Sequence, residues 1–319
     1  MHLCVEFRPL PKEFHYFWAG QDIPANLVEN MVSNALRTPG YKSILHVDAD
    51  NPGIFQAIKS KLESRAPGLT VMNLHEDELL KQLKNGDMYN YFRQGQGKNL
   101  AAVSDVARYP IMNKYGGIYL DTDDVIQANI ASGSSALKAG STDIILNRPV
   151  AHSLTDYNAF YNTSNFATHP DNPVIAHVIT EMEKRFAANK SYFTANRPTV
   201  SRDSAGKIQF TPEFNVYETK IFETVGPTLF NDILKSKKPD IYDLGFDGAI
   251  KQLKVVGGRA VSSGSKVDVE SNVRQLFQSK GITPPPRLRA QLQATKEHYL
   301  ALHHQLDIKV GAEHSWINT

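Results

Sequence analysis

The chain carries a single cysteine, Cys4, in 319 residues. No internal disulfide can form, so the fold is expected to suit a reducing compartment such as cytosol, and dithiol redox chemistry is excluded. No apolar run approaches the roughly 20 residues that a membrane-spanning helix requires. The first residues hold Glu6, Arg8 and Pro9 where a secretory signal would be continuously apolar, so Sec export is not expected. A net charge of +2, with no basic run interleaved with aromatics, argues against nucleic acid as a partner. Internal repeats and low-complexity tracts are also missing.

What is present is an ordinary globular composition, 41% hydrophobic and 21% charged, enough for one large domain or two small ones. Short apolar runs (Phe14 to Trp18, Ile44 to Val47, Leu69 to Met72, Ile118 to Leu120, Ile144 to Leu146) alternate with helical patterns at Asn26 to Arg37 and Pro52 to Arg65. That alternation predicts an α/β fold with a mostly parallel sheet covered on both faces. Ligands bind beyond the carboxyl ends of such strands, where Trp18, Asp48 and Asp121 fall. A further helix is expected from Asp171 to Lys184. Another follows Pro284-Pro285-Pro286, giving a C-terminal helix over 284–306. Its Arg287, Arg289 and Lys296 would either touch an anionic membrane surface or form a solvated face.

Asn99 to Lys114 has helical spacing and ends at Gly116-Gly117; the strand Ile118-Tyr119-Leu120 and then Asp121-Thr122-Asp123-Asp124 follow at once. Pro110 inside that helix predicts a bend before Met112. On an extended backbone Asp121 and Asp123 would point to one side and Thr122 to the other. Two converging carboxylates repel unless a cation lies between them, and a hard divalent ion with oxygen ligands suits the pair. Asp105 and Arg108, three apart on the helix, share a face directed near the same strand end. They would meet sugar hydroxyls and phosphate or ribose, or else form a plain intrahelical ion pair. Asp124 would orient the metal shell or an acceptor, or cap the next segment.

Asp48-Ala49-Asp50 is a second Asp-x-Asp. With Asn51-Pro52-Gly53 behind it, its aspartates read as turn formers and a helix cap. A phosphohydrolase with Asp48 as nucleophile and Asp50 as acid/base is the rival enzyme reading.

Ala101 to Arg108 followed by Gly116 to Asp123 resembles the core of the bacterial toxin glycosyltransferases, a family with the GT-A fold that includes the large clostridial glucosylating toxins. The triple-aspartate form with Asp124 is most similar to members that attach N-acetylglucosamine to a tyrosine of Rho GTPases. The resemblance implies a Rossmann-like mixed, mostly parallel sheet flanked by helices, with helical additions. It implies one catalytic domain over 1–319, whole or cut from a larger toxin, with a nucleotide-sugar-binding core at 14–150 and a C-terminal lid at 311–319.

Phe14 to Gly20 is similar to the family's opening strand, which implies that Trp18, beside Phe17 and Ala19, stacks on uracil. Glu313-His314-Ser315-Trp316 resembles its closing segment. By that resemblance Ser315 joins Asp121 and Asp123 in the metal shell, with Glu313 or Asn318 as partner, and Trp316 contacts the diphosphate. These are the chain's two tryptophans. The resemblance also gives Asp105 and Arg108 to donor sugar and ribose or phosphate, Tyr119 to the nucleotide, and Asp121 to nucleotide and metal, beside Thr122. Asn158 to Pro173, with Asn162, Ser164, Asn165, His169 and Pro170, resembles the stretch that lines the sugar pocket. Thr163 and Ser164, being small, favour UDP-N-acetylglucosamine over UDP-glucose, or are loop formers. Glu223 to Pro227 resembles a family turn.

The expectation is thus a retaining, manganese- or magnesium-dependent transferase acting on a host Rho-family GTPase. It would be delivered to the host cytosol, at the inner face of the plasma membrane if its basic helix meets lipid. The alternatives are a UDP-glucose enzyme and a catalytically inactive GTPase-binding module.

Overall fold

A computed structural model describes residues 7–84, 86–147, 150–151, 159–206, 208–239, 267–268 and 302–311. Its main sheet has six strands: β1 (Glu13–Gly20), β2 (Lys42–Ala49), β3 (Leu69–Asn73), β4 (Gly117–Leu120), β5 (Ile144–Leu146) and β6 (Asn165–Thr168). Their spatial order is β3-β2-β1-β4-β6-β5. β1 runs parallel to β2 and β4, and β2 parallel to β3. β6 lies antiparallel between β4 and β5. One strand therefore opposes five, which is the mixed, mostly parallel sheet expected. The expectation had no strand at β6.

Helices α1 (Ala25–Arg37) and α2 (Pro52–Glu63) cover one face. The other carries α3 (Glu78–Lys84), α4 (Asp87–Arg93), α5 (Leu100–Tyr115) and α6 (Pro173–Ala188), then the short α7 (Lys190–Phe193), α8 (Pro212–Thr224) and α9 (Pro227–Lys237). Alternate residues of the strands feed two separate cores, as a period of two requires. Tyr119, Phe166, Ile144 and Leu146 pack on the α5 side, while Ile118, Leu120, Ala167 and Ile145 pack on the α1 side. Glu223 to Pro227 is the junction of α8 and α9, with Pro227 in the first turn of α9.

The step from α5 into β4 positions the site. Asn99 caps α5 by accepting the Ala102 amide, and the helix continues through Pro110 to Tyr115, where the Gly116 amide donates to Met112 at 2.9 Å. Gly116 (φ 67°) and Gly117 (φ 83°) then turn the chain straight into the strand. A Cβ at Gly116 would lie 2.5 Å from Pro170 Cδ, and one at Gly117 2.6 Å from the Glu13 carbonyl oxygen. Both the left-handed φ and the close approach demand glycine.

The far end of the described chain returns to this region. Ile308–Lys309 pairs antiparallel with Val125–Ile126, directly after the aspartate cluster. Of the expected C-terminal helix, Leu302–Gln305 is described and helical; 284–301 lies outside the described residues. Among the described residues no helix is long and apolar enough to cross a membrane.

Candidate functional site

β4 ends at Leu120, and Asp121 to Asp124 form a turn closed by the Asp124 amide donating to the Asp121 carbonyl at 3.0 Å. The extended backbone expected at Asp121 and Asp123 is therefore not what brings their carboxylates together. A turn does so, because the chain must leave the sheet here to enter Val125–Ile126.

Arg108 is the hub. It is 3% exposed, and its Nη2 lies 2.9 Å from Asp105 Oδ1 and 3.2 Å from Asp121 Oδ1. Its Nη1 donates to the Thr163 carbonyl, and its guanidinium sits 5.0 Å over the Tyr119 ring. The Asp105–Arg108 pair is thus both the intrahelical ion pair and part of a link to Asp121. Burial works against the guanidinium's charge, yet Asp121 and Asp105 outweigh it and hold Arg108 firmly protonated. Asp121 is pushed well above the ordinary carboxylate range. Burial is the first cause; Arg108 pulls the other way, and Asp124, Asp123 and Asp105 add repulsion.

Four aspartates gather at this strand end, and the one guanidinium among them pairs with two, which leaves an excess of acidic groups. A divalent cation beside Asp121 and Asp123 would relieve it. No set of three His, Cys, Asp or Glu side chains among the described residues could hold such an ion alone, so the rest of its shell must come from water, a diphosphate or other residues. Glu313, Ser315, Trp316 and Asn318 lie outside the described residues.

β6 supplies the opposite wall. Asn165 registers with Leu120 and Thr168 with Gly117, so the stretch resembling a sugar-pocket lining is split in two. Residues 162–165 stand beside Asp121. His169 Nε2 donates to the Ala139 carbonyl at 2.9 Å, and Pro170 packs on Gly116 at the strand's other end. The carbonyls of Thr163 and Ser164 hold Arg108 and the Asp121 amide, the latter at 2.7 Å. Asn162 accepts the Ser164 amide at 3.2 Å, and its buried Nδ2 has no hydrogen-bond partner among the described residues. Asn165 gives its Nδ2 to Asp124 Oδ2 at 2.7 Å.

Of the residues expected to meet the nucleotide, Trp18 is half-buried near the end of β1, its indole N–H donating to the Gln21 carbonyl at 2.7 Å. Phe17 and Ala19 are buried beside it. Tyr119 is wholly buried, its hydroxyl 3.0 Å from Ser104 Oγ and its ring under Arg108. Thr122 presents its carbonyl to Asn30 Nδ2 at 3.5 Å.

The second Asp-x-Asp is corrected. Asn51, not an aspartate, caps α2 by accepting the Ile54 amide at 3.0 Å. Asp48 is 1% exposed and committed to Tyr89 Oη and Arg93 Nε at 2.8 Å each, with His75 Nε2 also at 2.8 Å. Arg93 also reaches Asp50 at 2.7 Å. A carboxylate so engaged is a poor nucleophile.

Asn34 and Gly311 escaped sequence reasoning. Asn34 stands among the apolar residues of α1 that face the sheet, and its Nδ2 donates to the Asp124 carbonyl at 2.9 Å. A polar residue in an apolar stripe is the signal that marked it. Gly311 donates its amide to Asp124 Oδ1 at 2.9 Å, and nothing local in sequence indicates that contact.

The sheet and its flanking helices have the fold of GT-A-type domains. The solved structure named PaToxG Glycosyltransferase superposes with a TM-score of 0.54 at 17% identity, covering 90% of this chain and 85% of that one. Residues 49–149, which include the aspartate cluster, match the family described as "Glycosyltransferase sugar-binding region containing DXD motif". The chain is also similar to parts of longer bacterial proteins, toxins among them. Toxin Afp18 of Yersinia ruckeri is 22% identical over 313 residues, 97% of this chain and 13% of that protein. Subversion of eukaryotic traffic protein A of Legionella pneumophila is 27% identical over 119 residues, 37% of this chain and 18% of that protein. The chain thus spans less than a fifth of the length of either relative.

Proposed function

We propose that the chain is the catalytic domain of a bacterial toxin that transfers a sugar from a UDP-sugar to a hydroxyl of a host protein. The observation that carries this reading is the Asp105–Arg108–Asp121 link at the end of β4, inside the segment that matches the DXD sugar-binding family. UDP-N-acetylglucosamine is the donor we favour, with UDP-glucose as the alternative, and a tyrosine of a Rho-family GTPase is the acceptor.

Breaking a sugar–phosphate bond places negative charge on the departing nucleoside diphosphate. A manganese or magnesium ion held by Asp121 and Asp123 would supply positive charge there. The chain's own residues order the site. Arg108 fixes the orientation of Asp121 and Asp105, the latter left to accept from sugar hydroxyls. Trp18 offers an aromatic face for the base, and Asn162 offers a free amide donor to the sugar or diphosphate. Closure of the C-terminal run, with Ser315 and Trp316, would exclude water and so disfavour hydrolysis of the donor.

The test is to incubate the protein with several UDP-sugars, manganese and host-cell lysate and to read added masses on proteins. An N-acetylhexosamine mass on a small GTPase is the expected result. Transfer of hexose selects UDP-glucose, and no transfer with any donor selects a GTPase-binding module without activity.

A further inference from the structure

Asp124 is the one aspartate of the cluster that is wholly buried. A buried carboxylate needs partners; two distant parts of the chain donate to it, and a third donates to the residue's backbone carbonyl. Asn165 Nδ2 of β6 donates to Oδ2 at 2.7 Å, and the Gly311 amide donates to Oδ1 at 2.9 Å. Asn34 Nδ2 of α1 donates to the Asp124 carbonyl at 2.9 Å.

Gly311 follows the two-residue ladder Ile308–Lys309, which the bonds Gln127 N to Asp307 O (3.0 Å) and Ala128 N to Leu306 O (3.2 Å) extend on the other side. Its amide lies past the end of that ladder, where Asp124 meets it. A Cβ on Gly311 would lie 2.1 Å from Asp123 Cγ and Oδ2, so its backbone passes flat against the Asp123 carboxyl group. Its φ is not among the positive values, so glycine is required here for space rather than for conformation. Glu313 and Ser315 come two and four positions later in the sequence.

We infer that Asp124 is a positioning residue: it clasps the Gly311 amide and so holds the backbone at Gly311 against Asp123, one of the carboxylate pair that would hold the cation. The inference rests on the donor-binding reading above. Asp124 does not touch the ion or the sugar in this scheme; its buried carboxylate acts through the chain that it holds.

The experiment is hydrogen exchange on the full chain, followed on peptides covering 306–319, together with calorimetric titration of UDP in the presence of manganese. The proteins compared are the wild type, Asp124→Asn and Gly311→Ala. Asp124→Asn presents an amide to Asn165 or to Gly311 and so loses one of the two clasping bonds. The 306–319 peptides are expected to exchange faster, while peptides from β1 and α5 keep their protection. UDP affinity with manganese should fall about 10-fold or more, the scale seen when groups behind metal ligands are removed. Donor KM should rise more than kcat falls. Gly311→Ala leaves Asp124 intact and should move both readouts in the same direction, which covers the case of an Asp124 variant that does not fold.

Unchanged exchange at 306–319 in both variants overturns the clasp. Faster exchange with wild-type UDP affinity makes Asp124 merely structural and overturns its positioning role. A wild-type chain that binds no nucleotide removes the donor-binding reading and the purpose assigned here, while the exchange data still report whether the clasp exists.

Discussion

Arg108 Nη2 lies 3.2 Å from Asp121 Oδ1, joining the middle of α5 to the first residue after β4. The same nitrogen is 2.9 Å from Asp105. Removing one member of a buried charge cluster leaves the others uncompensated, so Arg108→Ala should destabilise the fold by about 3 kcal/mol. Arg108→Lys keeps the charge but has no fork to span Asp105, Asp121 and the Thr163 carbonyl together, and should recover less than half of that loss. Urea titrations of the two variants against wild type measure both.

Replacing the paired aspartates should cost less. Asp121 is buried in a field of like charge, so in Asp121→Asn with Asp123→Asn the relieved burial and repulsion offset the lost partner of Arg108, and the thermal midpoint should fall less than in Arg108→Ala. Metal-dependent UDP-sugar hydrolysis should vanish in the same protein. A double variant that keeps wild-type hydrolysis would remove the donor site from this end of the sheet.

A buried imidazole pair sets a pH limit on stability. His15 Nδ1 and His46 Nε2 are 2.9 Å apart with both rings unexposed, and Tyr115 stacks against them. Glu13 faces His15 at 3.6 Å, and Lys114 and Asp77 stand near His46. Burial, with His15 and Lys114 against the weaker pull of Asp77, keeps His46 neutral well below the ordinary 6.5. The unfolded chain therefore takes up a proton that the native state refuses. Stability should be full above pH 6.5 and fall by about 1.4 kcal/mol per pH unit below it, until the folded-state value is reached. Denaturation at a series of pH values checks the slope, which His46→Gln should reduce.

Gly116→Ala and Gly117→Ala each add a Cβ at a positive φ and within 2.6 Å of a neighbour. Each should cost about 2 kcal/mol or more, because strain and overlap add. The calorimetric midpoint of each variant is the measurement.

Asp48→Asn separates the two Asp-x-Asp motifs. Loss of a carboxylate shared by Arg93, Tyr89 and His75 should destabilise the fold. Neither the variant nor wild type should release phosphate from simple esters, and wild-type release that Asp48→Asn abolishes would restore the phosphohydrolase reading.

Strands β1 to β5 were legible because each is a run of apolar side chains set off by turns or by the start of a helix. β6 was not: Asn165-Phe166-Ala167-Thr168 is short, and only Phe166 is a large apolar residue. Its place in the sheet comes from pairing with β4 and β5, a long-range condition that no local pattern states. The same limit applied to charge. Asp105 and Arg108 could be placed on one helix face from their spacing, and Asp121 beside them from the tight turn at Gly116-Gly117. The commitment of Asp48 depends on Tyr89 and Arg93, more than forty residues away, and so stayed hidden.

The bond between Gly311 and Asp124 joins residues 187 positions apart. On a ribosome adding about 5–20 residues per second, the aspartate cluster waits roughly 10–40 s for its last backbone partner. Once Thr168 has been made, the nascent chain has all six strands of the main sheet but not Ile308–Lys309, which closes beside the cluster. Until Gly311 has been made, the Asp124 carboxylate lacks the backbone donor that it has in the folded chain, however far its side-chain partners have already been assembled.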